Sequence, residues 1–560
     1  MHIPIRERRA MLEITQIPVS LDAGATEQGC LDACRAEAAR VLSCRPEDLA
    51  HVELHRKSVD ARKKREVHFV LSAHVNLRTR AAEEAALRRL SARNASRVRK
   101  IDDTPVNYPA PLHASRRPEI RPVVVGAGCA GLFAALTLAE AGLRPLLIER
   151  GDNAERRTAA IDRFIKTREL DPESNIQFGL GGAGTFSDGK LNTGTKNPHH
   201  RLILQTMVDA GAARDILWDA KPHVGSDVLP LVVTHIVRRI EQLGGEVRFR
   251  CRMVDIERTA TGAPKAITVE QDGGAGEATE RISADRIILA CGHSARDVFE
   301  LLVRRGFAVE RKTFAMGVRI EHLQADIDRA QYGPAAGHPA LGAAPYKLVA
   351  HMPNGRNVFT FCMCPGGEVV AAASEAGGVV VNGASLHARA GVNANAALLV
   401  NVNPDDLPGT DPLAGVELQR RCERRAFEMG GGDYRAPAQL VGDFLSGRES
   451  ARAGRIQPTY PLGVTWTAID EALPSHIVET LRAGIPALGK KLRSYSDDEA
   501  VLTAIESRSS SPVTVVRDRS CTALGAPGIY PCGEGAGYAG GIMSAAADGI
   551  RCAEALIDSL

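Results

Sequence analysis

Residues 121–150 have the sequence RPVVVGAGCAGLFAALTLAEAGLRPLLIER, and this stretch decides the fold of the chain. The β-branched run Val123–Val125 is typical of a buried parallel strand. Gly126, Gly128 and Gly131 follow it in the spacing G-x-G-x-x-G. The first glycine permits a tight turn, the second lets a pyrophosphate approach the backbone, and the third lets a helix pack closely on its strand. We therefore expect a strand, a turn and a helix that together bind a dinucleotide.

The residues after the third glycine favour the same interpretation. The helix is expected to end at Gly142, and a second strand, Leu146–Ile148, ends in Glu149, which is placed to accept hydrogen bonds from a ribose. A membrane span is disfavoured because glycines and Glu140 interrupt the apolar run and a strand pattern returns at once. A tight turn without a ligand is the alternative. The stretch predicts a site for the ADP half of a dinucleotide.

Length and composition define the broad class of protein. A chain of 560 residues is too long for one core, so two to four domains are expected. Hydrophobic residues make up 44% and charged residues 24%, as in soluble globular proteins. The 12 cysteines are scattered without a C-x-x-C pair, so we expect reduced thiols, a cytoplasmic location and no metal site. The charged N-terminus does not fit a signal peptide, and no membrane span is expected.

The front of the chain has the pattern of a small, basic α+β domain. The expected elements are a strand at 12–17, a helix at 27–43, a hairpin of 52–54 with 67–75, and a basic helix at 80–100. Residues 51–100 contain 14 Lys and Arg against 5 Asp and Glu. This excess favours an anionic partner, and nucleic acid is one hypothesis; a solvated charged face is the alternative.

A second glycine-rich segment follows the dinucleotide motif. Gly179, Gly181 and Gly184 repeat the G-x-G-x-x-G spacing, but no buried strand precedes them and no helical period follows. We do not expect a second fingerprint. Such a loop can still fold against a pyrophosphate or a flavin ring, because glycine lets backbone N–H groups come close. A plain surface loop is the alternative.

The C-terminal part of the sequence again has features that suit the binding of a cofactor. The predicted elements are a helix at 229–243, strands at 246–256 and 286–290, and a strand at 528–532 that leads into glycines and a helix of small residues. The N-terminus of that last helix offers unpaired N–H groups and a positive potential. These suit a reduced flavin, whose negative charge lies on its pyrimidine side. Residues 314–460 are rich in Gly, Pro and short β-like runs, and we assign them to substrate.

With both ends considered, the chain resembles the two-fingerprint FAD proteins of the glutathione-reductase-like superfamily. It is similar in particular to uncharacterised bacterial FAD-dependent dehydrogenases that carry an extra N-terminal domain. The stretches that carry the resemblance are VVVGAGCAGLFAALTLAEAGLRPLLIERG, NIQFGLGGAGTFSDGKLNTGTK, TFCMCPGGEVVAAASE and YPCGEGAGYAGGIMSAAADG. The resemblance implies an α/β fold, in which a Rossmann-like FAD-binding domain has an inserted α+β substrate domain and a small N-terminal α+β, ferredoxin-like domain. The domains expected are 1–100 (basic N-terminal), 101–120 (linker), 121–310 (FAD-binding, first part), 311–500 (substrate) and 501–560 (FAD-binding, C-terminal part).

The resemblance and the second glycine loop together imply one non-covalent FAD held by both ends of the chain. Pyrophosphate contact is implied for the first glycines, ribose contact for Glu149, an adenine contact near Val254, ribityl or phosphate contact at Glu534, and the flavin pyrimidine near Ile542. The residues expected to bind the cofactor are Gly126, Ala127, Gly128, Ala130, Gly131, Glu149, Arg150, Gly181, Gly182, Gly184, Val254, Gly292, Gly533, Glu534, Gly541 and Ile542.

No residue is assigned as the catalytic base. Lys190 and His387 are candidates, and a structural role is the alternative for each. Cys362 and Cys364 lie two apart on an expected strand and so are predicted to point the same way. Thiol chemistry at the flavin is one interpretation of this pair, and packing of small side chains is the other.

The predicted function is hydride transfer between the flavin and an unidentified small molecule. Two alternatives stay open: a flavin-dependent tRNA-modifying protein, and a non-catalytic flavoprotein scaffold. Since residues 126–131 are the one complete fingerprint in the sequence, we expect NAD(P)H to bind at most transiently.

Overall fold

The computed structural model of the chain describes residues 10–102, 106–192, 194, 196–271 and 279–560. Its strands are β1 (Ala10–Val19), β2 (Leu49–Asp60), β3 (His68–Leu77), β4 (Val98–Asp102), β5 (Val123–Val125), β6 (Leu146–Ile148), β7 (Glu246–Arg248), β8 (Cys251–Arg258), β9 (Pro264–Gln271), β10 (Thr279–Ser283), β11 (Ile287–Leu289), β12 (Val309–Arg311), β13 (Phe314–Leu323), β14 (Val349–His351), β15 (Asn357–Cys364), β16 (Glu368–Ala371), β17 (Val381–Ala384), β18 (Asn393–Val402), β19 (Ala436–Leu440), β20 (Val464–Trp466), β21 (Val501–Glu506), β22 (Val513–Val515) and β23 (Ile529–Pro531). Its helices are α1 (Glu27–Leu42), α2 (Arg80–Arg88), α3 (Ala92–Ala95), α4 (Cys129–Glu140), α5 (Ala154–Thr167), α6 (His200–Asp209), α7 (Leu229–Gln242), α8 (Arg296–Arg304), α9 (Gln324–Tyr332), α10 (Ala414–Gly430), α11 (Val441–Ser446), α12 (Ser475–Gly489) and α13 (Ile542–Asp558).

A parallel sheet of five strands, in the order β23-β11-β5-β6-β7, contains the dinucleotide motif. Val123 of β5 pairs with Ile287 of β11 on one side and with Leu146 of β6 on the other. Four of the five strands are fully buried, which explains why they are short continuous apolar runs without alternation. The strands predicted at 123–125, 286–290 and 528–532 are confirmed. Strands β5 and β23, which lie about 400 residues apart in the sequence, thus belong to one sheet.

The first helix of the motif, α4, packs directly against the C-terminal helix α13. A Cβ atom at Gly549 of α13 would lie 2.1 Å from the carbonyl oxygen of Ala130 in α4. At Gly131, a Cβ would lie 1.8 Å from the carbonyl oxygen of Gly126. Because no side chain fits either position, these glycines set how closely α4 approaches its turn and its partner helix. The helices predicted at 229–243 and after the C-terminal glycines are also confirmed.

A second large sheet has seven strands in the order β14-β15-β18-β13-β21-β19-β20. Its two long central strands, β13 and β18, pair antiparallel along their whole length. Strand β21 pairs with β13 and β19 within this sheet. Val501–Glu506 therefore belongs to the sheet, although the sequence placed the domain boundary at residue 500. Membership of a strand in a sheet can be recognised only from its pairing partners.

The N-terminal residues form a compact unit together with Ala213–Pro222 and Asp328–Ala344. Its sheet has the order β2-β3-β1-β4, all neighbours are antiparallel, and the elements follow along the chain as β-α-β-β-α-β if the short α2 and α3 are counted as one helical segment. The strand at 12–17, the helix at 27–43 and the hairpin are confirmed. Residues 1–9 and 103–105, which include part of the expected linker, lie outside the described residues.

Two elements predicted from the sequence were wrong, one in its kind and the other in the number of strands. The basic helix expected at 80–100 is replaced by α2, α3 and the edge strand β4, which pairs with β1. Pairing with an available strand overrides the local helix propensity of this segment. The single strand expected at 246–256 is two strands, because Arg250 adopts a left-handed conformation with φ +52°. Strand β7 completes the parallel sheet, and β8 starts the antiparallel sheet β10-β9-β8.

None of the helices within the described ranges combines the length and the apolar character needed to cross a membrane.

Candidate functional site

A long cavity opens at the carboxyl ends of the parallel strands. Val125, Ile148, Ala290 and Cys532, which end or directly follow β5, β6, β11 and β23, line it. The cavity has a volume of about 320 Å³. The carboxyl edge of an open α/β sheet is where such folds bind ligands. The cavity is also lined by α4, α13, the second glycine loop and part of the seven-stranded sheet.

Glu149, at the end of β6, holds the two glycine segments together. One carboxylate oxygen accepts a hydrogen bond from the backbone N–H of Ala127 (2.7 Å), and the other accepts from Gly151 and Gly179 (both 2.9 Å). The side chain is only 5% exposed, yet it lines the cavity. These three backbone donors fix the position of the carboxylate group. The residue expected to bind a ribose therefore also organises the loops around it.

The second glycine loop lies directly against the fingerprint. The backbone N–H of Gly181 donates to the carbonyl of Ala127 (2.8 Å). The fully buried guanidinium of Arg157 in α5 donates to four carbonyls that enclose the loop, those of Asn175 (2.8 Å), Ile176 (2.9 Å), Leu180 (2.7 Å) and Gly182 (2.9 Å). Burial lowers the pKa of Arg157 to about 10, and the nearby Glu149 charge opposes this effect. Arg157 was missed from the sequence, since an arginine in a polar helix is ordinarily solvated.

Two helix N-termini line the same cavity. Helix α4 starts after Gly128 and α13 after Gly541, and neither first residue receives a side-chain cap. Such ends carry free N–H groups and a partial positive charge, which favour anions. Three cavity glycines, Gly292, Gly540 and Gly541, have no atom within 4 Å of where a Cβ would lie. These glycines leave open space beside the backbone, and two helix N-termini without side-chain caps lie next to it. This arrangement can accommodate a bound dinucleotide.

Most residues expected at the cofactor line this cavity. Those that do so are Gly126, Gly128, Ala130, Glu149, Arg150, Gly181, Gly182, Gly184, Gly292, Glu534, Gly541 and Ile542. Ala127, Gly131, Val254 and Gly533 are not among the described residues of the lining. Ala127 and Gly131 are used in the turn itself, and the N–H of Gly533 donates to Asp548 (2.8 Å). On β8 the cavity is lined by Cys251, Arg252 and Met253, before the predicted Val254.

The two candidate bases have different positions. Lys190 lines the cavity, but its ammonium group donates to the buried carboxylate of Asp188 and to the carbonyl of Met363. Arg389 also binds Asp188, at 2.6 and 2.8 Å. His387 is not among the described lining residues; its Nδ1 lies 3.0 Å from the carbonyl oxygen of Val224, and its ring stacks on His223. Lys190 thus lies at the cavity, whereas His387 lies outside its described lining.

Several cavity residues were missed from the sequence. His293 lies in the wall, and burial lowers its pKa to about 4, with the Arg508 and Arg296 charges adding to the effect. Glu506 lines the cavity while it binds the fully buried Arg319 (Nε–Oε2 2.5 Å). Since His293 and Glu506 come from separate elements, no local motif could have indicated them. Glu534, which the sequence did predict, also lines the cavity, and burial raises its pKa to about 7.

Cys362 lines the cavity, and Cys364 is fully buried next to it. Between Phe361 and Cys364, three steps along β15 oppose two along β18, so β15 has a bulge there. Cys362 has φ +38°. The regular strand expected here is therefore interrupted by a bulge, while the side chains of the two cysteines lie within hydrogen-bonding reach of each other.

Comparison with known proteins identifies the class. Residues 120–303 match the family described as pyridine nucleotide-disulphide oxidoreductase, residues 313–509 match the FAD-dependent protein, C-terminal domain-like family, and residues 11–76 match a domain of unknown function. The protein is an FAD-dependent oxidoreductase, and FAD is its cofactor. The chain belongs to the same family as an uncharacterised protein of Clostridium beijerinckii, to which it is 41% identical over 550 residues, or 98% of each chain.

Solved structures show a more distant likeness. A geranylgeranyl bacteriochlorophyll reductase-like protein of Thermoplasma acidophilum is 12% identical, with 78% of each chain covered and a TM-score of 0.34. The E. coli quinol fumarate reductase FrdA is 11% identical, with 78% of this chain and 70% of that chain covered and a TM-score of 0.34. The glycerol-3-phosphate dehydrogenase of Bacillus halodurans, solved with FAD, is 11% identical, with 53% and 49% covered and a TM-score of 0.27. No reaction is inferred from scores this low.

Proposed function

We propose that this protein transfers a hydride between a small-molecule substrate and a non-covalently bound FAD in the cavity described above. The observation that carries the proposal is the pair of uncapped helix N-termini, α4 and α13, which face one cavity from opposite ends of the chain. When bound, FAD supplies two-electron chemistry by accepting or returning a hydride at its N5 atom. The protein supplies the position and the electric field.

The α4 end of the cavity is proposed to bind the pyrophosphate and the ADP ribose. Gly126, Gly128 and Ala130 present the turn and the first helical N–H groups, and Gly181 and Gly182 close it from the other side. The carboxylate of Glu149 has lone pairs beyond those used by the backbone, so it can also accept from a ribose hydroxyl. Arg150 is fixed by Glu173 and Asp297 and covers Phe178, which shapes this end.

The α13 end is proposed to face the flavin. Gly541 and Ile542 place the positive helix end there, where it stabilises negative charge on the reduced ring. Glu534 is proposed to contact the ribityl chain or a phosphate. On the substrate side the wall contains Phe361, Asn382, Glu506 and Arg508. A mixture of one aromatic face and several buried polar groups is typical of a small-molecule site.

A dedicated domain for a nicotinamide cofactor is not part of the proposal. Among the described residues, β5 is the strand that leads through a glycine fingerprint into a helix, and FAD is proposed to use that unit. NADH or NADPH is therefore expected to reduce the flavin only weakly and without a tight complex.

The N-terminal unit is proposed to be a ferredoxin-like domain, because the order of its strands is the order found in that fold. Its basic loop between β2 and β3 is partly neutralised within the unit, since Arg62 binds Asp60 (2.5 Å) and Lys63 binds Glu66 (3.4 Å). This pairing weakens the case for nucleic acid, and neither tRNA modification nor a scaffold role is proposed.

The test is to purify the protein, record its absorption spectrum, and measure FAD by release on denaturation. We expect one FAD per chain, released without proteolysis, and bleaching of the flavin on anaerobic reduction. A colourless protein that takes up no FAD in titration would contradict the proposal. Micromolar saturation of flavin reduction by NADH or NADPH would show a nicotinamide site that the proposal lacks.

A further inference from the structure

The bulge in β15 brings a sulfur atom to the cavity wall. A regular strand would hold Phe361 to Cys364 in register with β18, but the extra residue breaks this pairing. Cys362 takes a left-handed conformation, φ +38°, which costs energy for any residue with a Cβ. Bulges commonly re-aim a side chain beside a functional site. Here the side chain that reaches the cavity is that of Cys362.

Two cationic side chains, Arg319 and Lys190, bind backbone carbonyls next to this sulfur. The fully buried guanidinium of Arg319 donates to the carbonyl of Cys362 (2.9 Å) and to the side chain of Asn382 (2.6 Å), and the ammonium group of Lys190 donates to the carbonyl of Met363. A hydrogen bond from the neighbouring thiol of Cys364, with Lys190 and Arg319, holds the pKa of Cys362 below its usual range, against the opposing effect of burial. Cys362 therefore has the environment of a reactive cysteine.

Cys364 stands directly behind Cys362. It is fully buried, its thiol lies 3.3 Å from the carbonyl oxygen of Cys362, and the two thiols are within hydrogen-bonding reach. A cavity-facing sulfur whose pKa is lowered and a buried one whose pKa is raised form the pattern of a thiol–disulfide couple.

We propose that Cys362 and Cys364 form a redox couple that exchanges two electrons with the bound FAD. The inference rests on the proposed function, because it needs FAD in this cavity. The pair belongs to the seven-stranded sheet, and thus lies outside the dinucleotide-binding part of the chain. The oxidised protein then accepts four electrons per FAD, two at the flavin and two at the sulfurs.

The proposed exchange balances without any further reactant. Starting from the Cys362 thiolate, the Cys364 thiol and oxidised FAD, a bond forms between the two sulfurs and the S–H bond of Cys364 breaks. The pair loses two electrons and one proton. Oxidised FAD gains those two electrons and that proton and becomes the anionic reduced form. The reverse reaction reopens the disulfide.

The test is an anaerobic dithionite titration of the air-oxidised holoprotein, with the bound FAD first quantified from its spectrum. Wild type is expected to consume two dithionite equivalents per FAD, and C362S one. Thiol counting in denaturant gives a second readout that does not depend on activity: 10 free thiols before reduction and 12 after, from the 12 cysteines of the chain. Peptide mapping is expected to find the missing pair as Cys362–Cys364.

Variants separate the possible results. C364S should match C362S, and because Cys364 is fully buried, the half-buried C362S decides the question if C364S does not fold. C521S is the matched control, since the thiol of Cys521 is hydrogen-bonded to Cys552 and neither is among the described cavity residues; it should keep two equivalents. One equivalent and 12 free thiols in FAD-loaded wild type, or a disulfide between other cysteines, would overturn the inference alone. Absence of FAD would overturn the proposed function as well.

Discussion

Residues 126–131 and residues 179–184 have the same glycine spacing, but they are stabilised in different ways. The first segment lies between a buried strand and a buried helix, and its geometry is set by close backbone contacts, of Gly131 with Gly126 and of Gly126 with Ala290 next to β11. The second has no flanking element of its own beyond a short 3-10 turn, Gly182–Gly184, and its carbonyls are held by Arg157 from another helix. Glu149 binds N–H groups of both.

This difference shows what a glycine pattern means in each context. In the first segment, local sequence is sufficient, because strand, turn and helix follow one another without a break. In the second, the glycines only permit the chain to come close, and a distant arginine decides where it stays. Substitutions should therefore act locally in the first segment and through Arg157 in the second.

The largest effect is expected for Gly131→Ala. Its Cβ would lie 1.8 Å from the carbonyl oxygen of Gly126, so α4 must move away from its turn. We expect a loss of about 3 kcal/mol or more in the free energy of unfolding, or no soluble protein. Gly194→Ala, where no atom lies within 4 Å, is the control and should melt like wild type. A G131A protein with wild-type denaturant unfolding would show that the first segment is not set by this contact.

The second substitution, Arg157→Met, tests the other segment. It removes one hydrogen bond from each of four carbonyl groups, of which those of Leu180 and Gly182 keep a second donor in Thr185, and we expect a loss of about 3 kcal/mol together with weaker FAD binding. Arg156→Met removes the exposed neighbour in the same helix and should change stability by less than about 0.5 kcal/mol. Equal unfolding curves for R156M and R157M would mean that the second loop does not depend on Arg157.

The third prediction separates stability from cofactor binding. Gly128 has φ −70°, and its Cβ would meet only the Cα of Gly182 at 3.8 Å, an ordinary contact. Gly128→Ala should fold, but the added methyl group occupies the proposed path of the pyrophosphate, and FAD affinity should fall about 100-fold, or about 2.7 kcal/mol. Gly182 has φ +65°, so Gly182→Ala should instead lower stability. Fluorescence titration with FAD and thermal melts distinguish the two, and unchanged FAD affinity in G128A contradicts the proposed site.

The smallest effect is a pH dependence at Glu534, in the wall of the same cavity. Burial raises the pKa of Glu534 to about 7, so the folded protein binds a proton there that the unfolded chain releases at lower pH. The corresponding stability is present below the ordinary pKa of about 4.5 and is lost as pH rises through about 7. Glu534→Gln removes this loss, so the difference in melting temperature between E534Q and wild-type apoprotein should grow from pH 5 to pH 8. A constant difference would show that Glu534 is not a buried acid.

The sequence was most informative where one short segment carries the whole signal. Val123–Val125, the glycines and Glu149 stand in chain order in a single motif, so the parallel sheet and one wall of the cavity could be predicted from them. The Cys362–Cys364 pair was noticed, but its geometry was not, because the bulge depends on how β15 pairs with β18. The strand β4 was mistaken for a helix since only its partner β1 defines it.

By itself, the sequence determined the dinucleotide motif, its position at the start of a buried sheet, and the return of the C-terminal segment to the same site. The first two features follow from steric limits and hydrophobic burial within about 30 neighbouring residues, whereas the third was implied by the family resemblance. Only the tertiary structure decided that Arg157 anchors the second loop, that Arg319 and Lys190 flank Cys362, and that β21 belongs to the seven-stranded sheet. Those contacts join residues far apart in the chain, and a buried charge or an unpaired strand edge takes its partner from whatever the fold brings within reach.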